Sequence, residues 1–236
     1  MNPFPGVGNA VVVGASSPMS IGIVRTLLQQ KATVIAPVNN ALEIELLQTQ
    51  TGDITSGRLV TYLSDKSDYN TVQCMSDIVS DEYGHISLVV YVSDEARRSP
   101  FLSEVEIAEW DNMLTAELTP CFIAGKLYIE HSKPFKSGLF IHVVKQDNFI
   151  DKPYSSLANI AAVAQMEMSN HFAQEAALDG LRFYHVIVAR QSKSHPIKPE
   201  ADAAADIDAL GDFVMQLYEN RLQETVQTFQ TFRYMG

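Results

Sequence analysis

The sequence predicts a single-domain α/β fold, a doubly wound parallel sheet in three α/β/α layers. Three observations predict it. Short apolar runs recur along the chain, segments of helical spacing separate them, and the first run ends in a glycine that leads into a helix. Strands covered on both faces read as near-continuous apolar runs. Regular alternation of strand with helix indicates crossover connections and a parallel sheet. At 236 residues, one domain over 1–236 can bury a sizeable core.

Strands are predicted at 10–13, 33–36, 59–63, 86–92, 139–144 and 183–188, all rich in Val, Ile, Leu or aromatic residues. Helical spacing covers 20–30, 41–50, 69–79, 106–131 and 155–177. An acidic segment at 199–208 leads into a helix at 209–220, and 225–232 alternates well enough for a last strand. In sheets of this kind ligands bind at the carboxyl ends of the strands, where the strand order reverses.

The formal net charge of −11, from 28 acidic and 17 basic residues, argues against nucleic acid as a partner, because backbone binding needs clustered cations. Cys74 and Cys121 are too few for a disulfide framework and read as buried free thiols in a reduced, cytoplasmic setting. The first 24 residues are uncharged, yet Pro3, Pro5, Gly6, Gly8, Asn9 and Pro18 break any apolar run. Neither a signal peptide nor a membrane span is expected. His142 lies in an apolar strand and reads as a hydrogen-bonded core residue, and His85, His131, His171, His185 and His195 lack metal-ligand spacing.

The turn after the first strand reads Gly14, then Ala15-Ser16-Ser17-Pro18-Met19, then Ser20-Ile21-Gly22. Gly14 suits a turn that tolerates no Cβ, and Gly22 a close helix contact one turn later. The start of the following helix, at Ser20 and Ile21, offers backbone N–H groups to a pyrophosphate, helped by the hydroxyls of Ser16, Ser17 and Ser20. The second strand ends in Pro37-Val38-Asn39-Asn40, with neither a carboxylate for a ribose 2′-OH nor an Arg for a 2′-phosphate. After the third strand Tyr62 or, by a short shift, Asp65 stands where the short-chain dehydrogenase/reductase family, which this stretch resembles, often has an Asp that holds adenine.

These features resemble the short-chain dehydrogenase/reductase family over nearly the full length, and the longer glycine loop resembles its enoyl-acyl-carrier-protein reductase branch. The resemblance implies a Rossmann-like fold and, in active members, an Asn, a Ser, a Tyr and a Lys that handle the proton while a nicotinamide carries hydride. Phe172-Ala173-Gln174-Glu175 resembles the family's Leu-Ala-x-Glu and sets the register. Ala158 then falls on the Tyr position and Ala162 on the Lys position. Val144 or Lys145 falls on the Ser, and Glu117, seven residues beyond Trp110, on the Asn. The family's Asn-Asn-Ala-Gly is replaced by Tyr91-Val92-Ser93-Asp94, and its later Pro-Gly by Val188-Ala189.

Neither alanine can transfer a proton. The leading expectation is therefore a catalytically degenerate member without a cofactor, a structural or regulatory subunit in a homo-oligomer or paired with an intact family member. Its contact surface would be the long helix at 106–131 and the helix at 155–177, with Ala158, Ala161, Ala162 and Ala164 as a small-residue side. The alternative is an active NAD(P)H-dependent oxidoreductase with a relocated acid, Tyr154, supported by Lys145 or Lys152. A third reading is a sensor that binds a nucleotide or acyl group without converting it.

Overall fold

The computed structural model describes residues 6–93, 100–145, 156–190, 201–221 and 229–234. Seven strands form one sheet: β1 (Asn9–Val13), β2 (Thr33–Val38), β3 (Arg58–Leu63), β4 (Leu88–Ser93), β5 (Leu139–Lys145), β6 (Arg182–Arg190) and β7 (Phe229–Tyr234). Their order is β3-β2-β1-β4-β5-β6-β7 and every pairing is parallel. The order reverses between β1 and β4, so the carboxyl ends of these two strands frame the switch point at which doubly wound sheets bind ligands.

The helices are α1 (Pro18–Gln29), α2 (Ala41–Thr51), α3 (Tyr69–Tyr83), α4 (Ile107–Met113), α5 (Thr119–Ser132), α6 (Ser156–Leu178) and α7 (Ala201–Glu219). Side chains of α1, α2 and α7, including Ile23, Leu47 and Val214, pack with Val12, Ile141 and Val186 on one face of the sheet. The opposite face is closed by α3 over Ile35 and Val60, and by α5 and α6 over Val89, Phe140 and Phe183. Alternation along each strand thus feeds two cores, which is why β4 and β5 are buried almost throughout.

Helix α1 starts where its sequence says it should. Ser17 is the N-cap, its side chain accepting from the Ser20 N–H, and Pro18 occupies the first helical position, where its missing N–H costs nothing. Helix α1 packs closely on α7, and the glycine that permits it is Gly211: a Cβ there would lie 2.7 Å from the Gly22 carbonyl oxygen and 2.2 Å from Thr26 Oγ1. The two helices cross at a distance only glycine permits.

Several boundaries differ from the sequence reading. The long helix expected at 106–131 is interrupted by a π turn, Leu114–Leu118, between α4 and α5. Helix α7 includes Ala201–Glu219 and so covers part of the segment read as an acidic lead-in, and β7 is Phe229–Tyr234, the earlier residues of the expected last strand, 225–228, lying outside the described residues. Strand β6 continues to Arg190, so Val188 and Ala189 are strand residues. Cys121 is buried as expected, whereas Cys74 is exposed.

Candidate functional site

The glycine turn is built for close approach. Gly14 has φ +77, and a Cβ there would lie 2.7 Å from the Val92 carbonyl oxygen on β4. The turn is pinned from inside: the Ser20 hydroxyl donates to the Gly14 carbonyl at 2.6 Å and meets the Ser17 hydroxyl at 2.8 Å. Ser20 is fully buried. The Ser17 and Ser20 hydroxyls, expected to face a pyrophosphate, hold the loop instead, and the N–H groups of Ser20 and Ile21 both point to the Ser17 carbonyl. Ser16 is half-buried beside them. The first turn of α1 has no acidic side chain, so the positive end of the helix dipole is not neutralised there. The Cβ that Gly14 lacks would meet the chain's own β4 backbone, so this glycine serves the tight turn, and it is the amino end of α1, free of acidic side chains, that fits a dinucleotide pyrophosphate.

Around this turn the neighbouring strand ends are polar. Asn39 follows β2, and its backbone N–H and side-chain amide donate to Glu43 at 3.2 and 3.0 Å. Asn40 caps α2 by accepting from the Glu43 N–H at 3.1 Å. Glu43 escaped notice in the sequence because it sits in the helix, although the Asn-x-x-Glu spacing of a capping box was there to be read. Asp65, beyond β3, accepts from the Ser67 N–H and hydroxyl at 2.9 and 2.6 Å. Those bonds hold its carboxyl below the usual value. Tyr62 lies against α3 and donates to Glu82 at 3.1 Å. Tyr91 is buried beneath α5 and α6, edge-on to His142.

On α6, Ala162 is buried and Ala158 half-buried. One and two turns further on, Gln165 and Ser169 face the sheet. Gln165 Nε2 donates to the Glu117 backbone carbonyl in the π turn at 2.9 Å, and Ser169 Oγ lies 2.9 Å from His142 Nδ1. His142 Nδ1 is also 3.1 Å from His185 Nδ1 on β6. Leu139, Ile141 and Val143 face the α1 and α7 core and Phe140 faces α6. By alternation Val144, not Lys145, points toward α6 at the position of the family's Ser. Ser93, the register partner of Val144 on β4, stands beside it.

Both histidines are fully buried. Burial, then the neighbouring His185, pushes the His142 pKa well below 6.5, with Gln165 opposing. Burial alone lowers His185 to about 4. They are neutral core groups in a hydrogen-bonded chain, out of reach of a substrate. Neither Ala158 nor Ala162 supplies an exchangeable proton, Glu117 contributes its backbone carbonyl to Gln165, and Lys145 is half-buried at the end of β5. Tyr154 and Lys152 lie outside the described residues, as does Asp94. Two of the alanines expected to face a partner helix, Ala161 and Ala162, are buried in this chain's own core, and Val163 is the exposed neighbour. Among the described residues no helix is long and apolar enough to cross a membrane.

Comparison with known proteins agrees with this geometry. The chain is 23% identical over 175 residues to cis-4-hydroxycyclohexanecarboxylate dehydrogenase of Sinomonas cyclohexanicum, covering 73% of this chain and 69% of that protein. It is 30% identical over 125 residues to D-threitol dehydrogenase of Mycolicibacterium smegmatis, 51% of this chain and 47% of that one, so this match spans about half of each. A metagenomic short-chain oxidoreductase solved in complex with NADP superposes with a TM-score of 0.77 at 16% identity, over 98% of this chain and 99% of that one. The expectation of no cofactor finds no support in such a neighbour. A family model described as short chain dehydrogenase matches residues 8–188, and the chain belongs to the short chain dehydrogenase family.

Proposed function

We propose that this protein is an NAD(P)(H)-dependent oxidoreductase whose proton is handled by a group outside α6. The observation that carries the reading is the Gly14 turn, where a Cβ would meet the Val92 carbonyl at 2.7 Å and the α1 amino end is free of acidic side chains. The dehydrogenase names of the relatives support it. Gly14 lets the chain turn tightly from β1 into α1, the amino end of α1 favours the charge of a pyrophosphate, and Asn39, Glu43 and Asp65 border the adenosine end. When bound, a nicotinamide supplies or accepts hydride; the polypeptide has to manage the proton. Tyr154, with Lys145 or Lys152 to lower its pKa, is the residue assigned to that task.

A second reading is favoured by Ala158 and Ala162: a non-catalytic subunit that keeps the fold and its nucleotide site. Titration with NADH and NADPH, followed by turnover with carbonyl, alcohol and enoyl-thioester substrates, separates the two. Turnover that Tyr154→Phe abolishes supports the first, and binding without turnover supports the second. Failure to bind either dinucleotide overturns both.

Both readings share an oligomeric form. Phe122 at 48% and Val163 at 50% exposure stand on the outer faces of α5 and α6, beside Met168 and Phe172. A helix pair with this much uncovered apolar surface suits a second copy or a related subunit. Light scattering of the purified chain is expected to give a dimer or tetramer, and Val163→Glu with Phe122→Glu a monomer. A monomeric wild type would exclude the self-association.

A further inference from the structure

We infer that Glu43 makes this chain select NAD(H) over NADP(H), by supplying from the first turn of α2 the carboxylate that the end of β2 lacks. The inference rests on the dinucleotide-binding reading above. In doubly wound folds the adenosine ribose lies at the end of the second strand, where a carboxylate takes the 2′-OH and a cation takes a 2′-phosphate. β1 and β2 are parallel neighbours, with Val11 opposite Ile35, so Asn39, next after β2, and the Gly14 turn, next after β1, lie at the same edge of the sheet. Nothing in the strand-end sequence Val38-Asn39-Asn40 is charged.

The helix provides the charge instead. Glu43 folds back so that Oε2 accepts from the Asn39 backbone N–H at 3.2 Å, while Oε1 accepts from the Asn39 and Asn40 side-chain amides at 3.0 and 3.3 Å. Its own N–H is held by Asn40 Oδ1 at 3.1 Å. The carboxylate is therefore held at both oxygens, over the strand terminus, and Oε2, which accepts one bond, retains a lone pair for a ribose hydroxyl. A 2′-phosphate entering the same place meets a fixed negative charge, and like charges brought together at a binding site are strongly disfavoured.

The opposing group is Lys66, in the loop after β3. Val38 pairs with Leu63 and the Ser64 N–H donates to the Val38 carbonyl at 2.9 Å, so that loop borders Asn39, and Lys66 and Pro37 line the same crevice between α3 and the sheet. Lys66 is flanked by Asp65 and, two residues on, by Asp68, the N-cap of α3. The charges around the strand end are thus three carboxylates against one ammonium, and only Glu43 is bonded to the β2 terminus itself.

The test is a fluorescence titration of the purified full chain with NADH and NADPH, with adenosine 5′-monophosphate and adenosine 2′,5′-bisphosphate as competitors. The wild type is expected to bind NADH at least about tenfold more tightly than NADPH, the scale of a like-charge clash at a binding site. Adenosine 5′-monophosphate is expected to compete better than the bisphosphate. Glu43→Gln, which keeps the shape but not the charge, should bring the two dinucleotides to near parity. Equal or tighter binding of NADPH by the wild type overturns the inference, and its loss in Lys66→Met would assign selectivity to that cation. A preference for NADH that survives Glu43→Gln overturns the role of Glu43. The competitor comparison uses only the wild type, so it decides the sign even if a variant fails to fold. Absence of binding by both dinucleotides removes the underlying reading and the inference with it.

Discussion

Replacing Gly14 by alanine is expected to lower the unfolding free energy by about 2–4 kcal/mol and to abolish dinucleotide binding. Two costs add. The residue has φ +77, a conformation that penalises any side chain by about 1–2 kcal/mol. The new methyl would also sit 2.7 Å from the Val92 carbonyl oxygen, a backbone atom of a strand held by its pairing with β5, where Val92 stands opposite Val143, so it cannot turn aside. Gly180 is the internal control: its φ is +75, yet the nearest atom to a Cβ there is the Lys136 carbonyl oxygen at an ordinary 3.6 Å. Gly180→Ala carries the conformational cost alone. Denaturant unfolding of the two variants, with an NADH titration of each, should find Gly14→Ala the less stable and the only one that fails to bind. Equal stability of the two would mean that β1 and β4 yield at this contact.

Acid is expected to weaken the fold through the His142 and His185 pair well before the carboxylates protonate. In the folded chain both pKa values lie below 6.5, His185 at about 4. Above about pH 6.5 the imidazoles are neutral in both folded and unfolded chains and contribute no pH dependence. Between about pH 6.5 and 4 the unfolded chain takes up protons that the folded chain refuses, so stability falls with pH. For His185 the full loss is about 3 kcal/mol, and His142 adds in the same direction. The physical cause is burial among Tyr91, Phe229 and the α6 face, where an imidazolium has no carboxylate among the described residues to answer it. Denaturant unfolding at successive pH values from 7 to 4 checks this. His185→Phe should flatten the profile, while His142 keeps its Ser169 bond. Parallel profiles for wild type and variant would contradict the assignment.

Much of this was legible in the residues. The six apolar runs locate β1 to β6 to within a few positions, because a buried parallel sheet leaves little choice of side chain, and alternation located the last strand. The α6 register from Phe172-Ala173-Gln174-Glu175 sets Ala158 and Ala162 at the positions where the resemblance implies Tyr and Lys; of the two, Ala162 is buried and Ala158 half-buried. The π turn at Leu114–Leu118 was not legible: it is held by Gln165 reaching the Glu117 carbonyl from another helix, and tertiary bonds leave no trace in hydrophobic periodicity. The outward side of α6 was misread for a related reason. Alanines fit a partner helix and a tight core equally well, and burial assigns Ala161 and Ala162 to the core.

At the strand ends, the absence of a carboxylate in Val38-Asn39-Asn40 was read correctly, yet it did not make the site neutral. Glu43 returns the charge through side-chain bonds to Asn39, within the capping arrangement that the spacing Asn40-x-x-Glu43 already spelled. The Ser17 and Ser20 hydroxyls teach the converse. Their position suited a phosphate, but a turn this tight needs internal donors to satisfy the Gly14 carbonyl, and the nearest hydroxyl is taken for that purpose.

The most direct test of the oxidoreductase reading is consumption of NADH or NADPH by the purified chain with a carbonyl substrate, compared with Tyr154→Phe under identical conditions. The expected result is turnover in the wild type and none in the variant, with the affinity for the dinucleotide unchanged. Tight dinucleotide binding with no consumption on any substrate class would contradict it and leave a nucleotide-holding subunit.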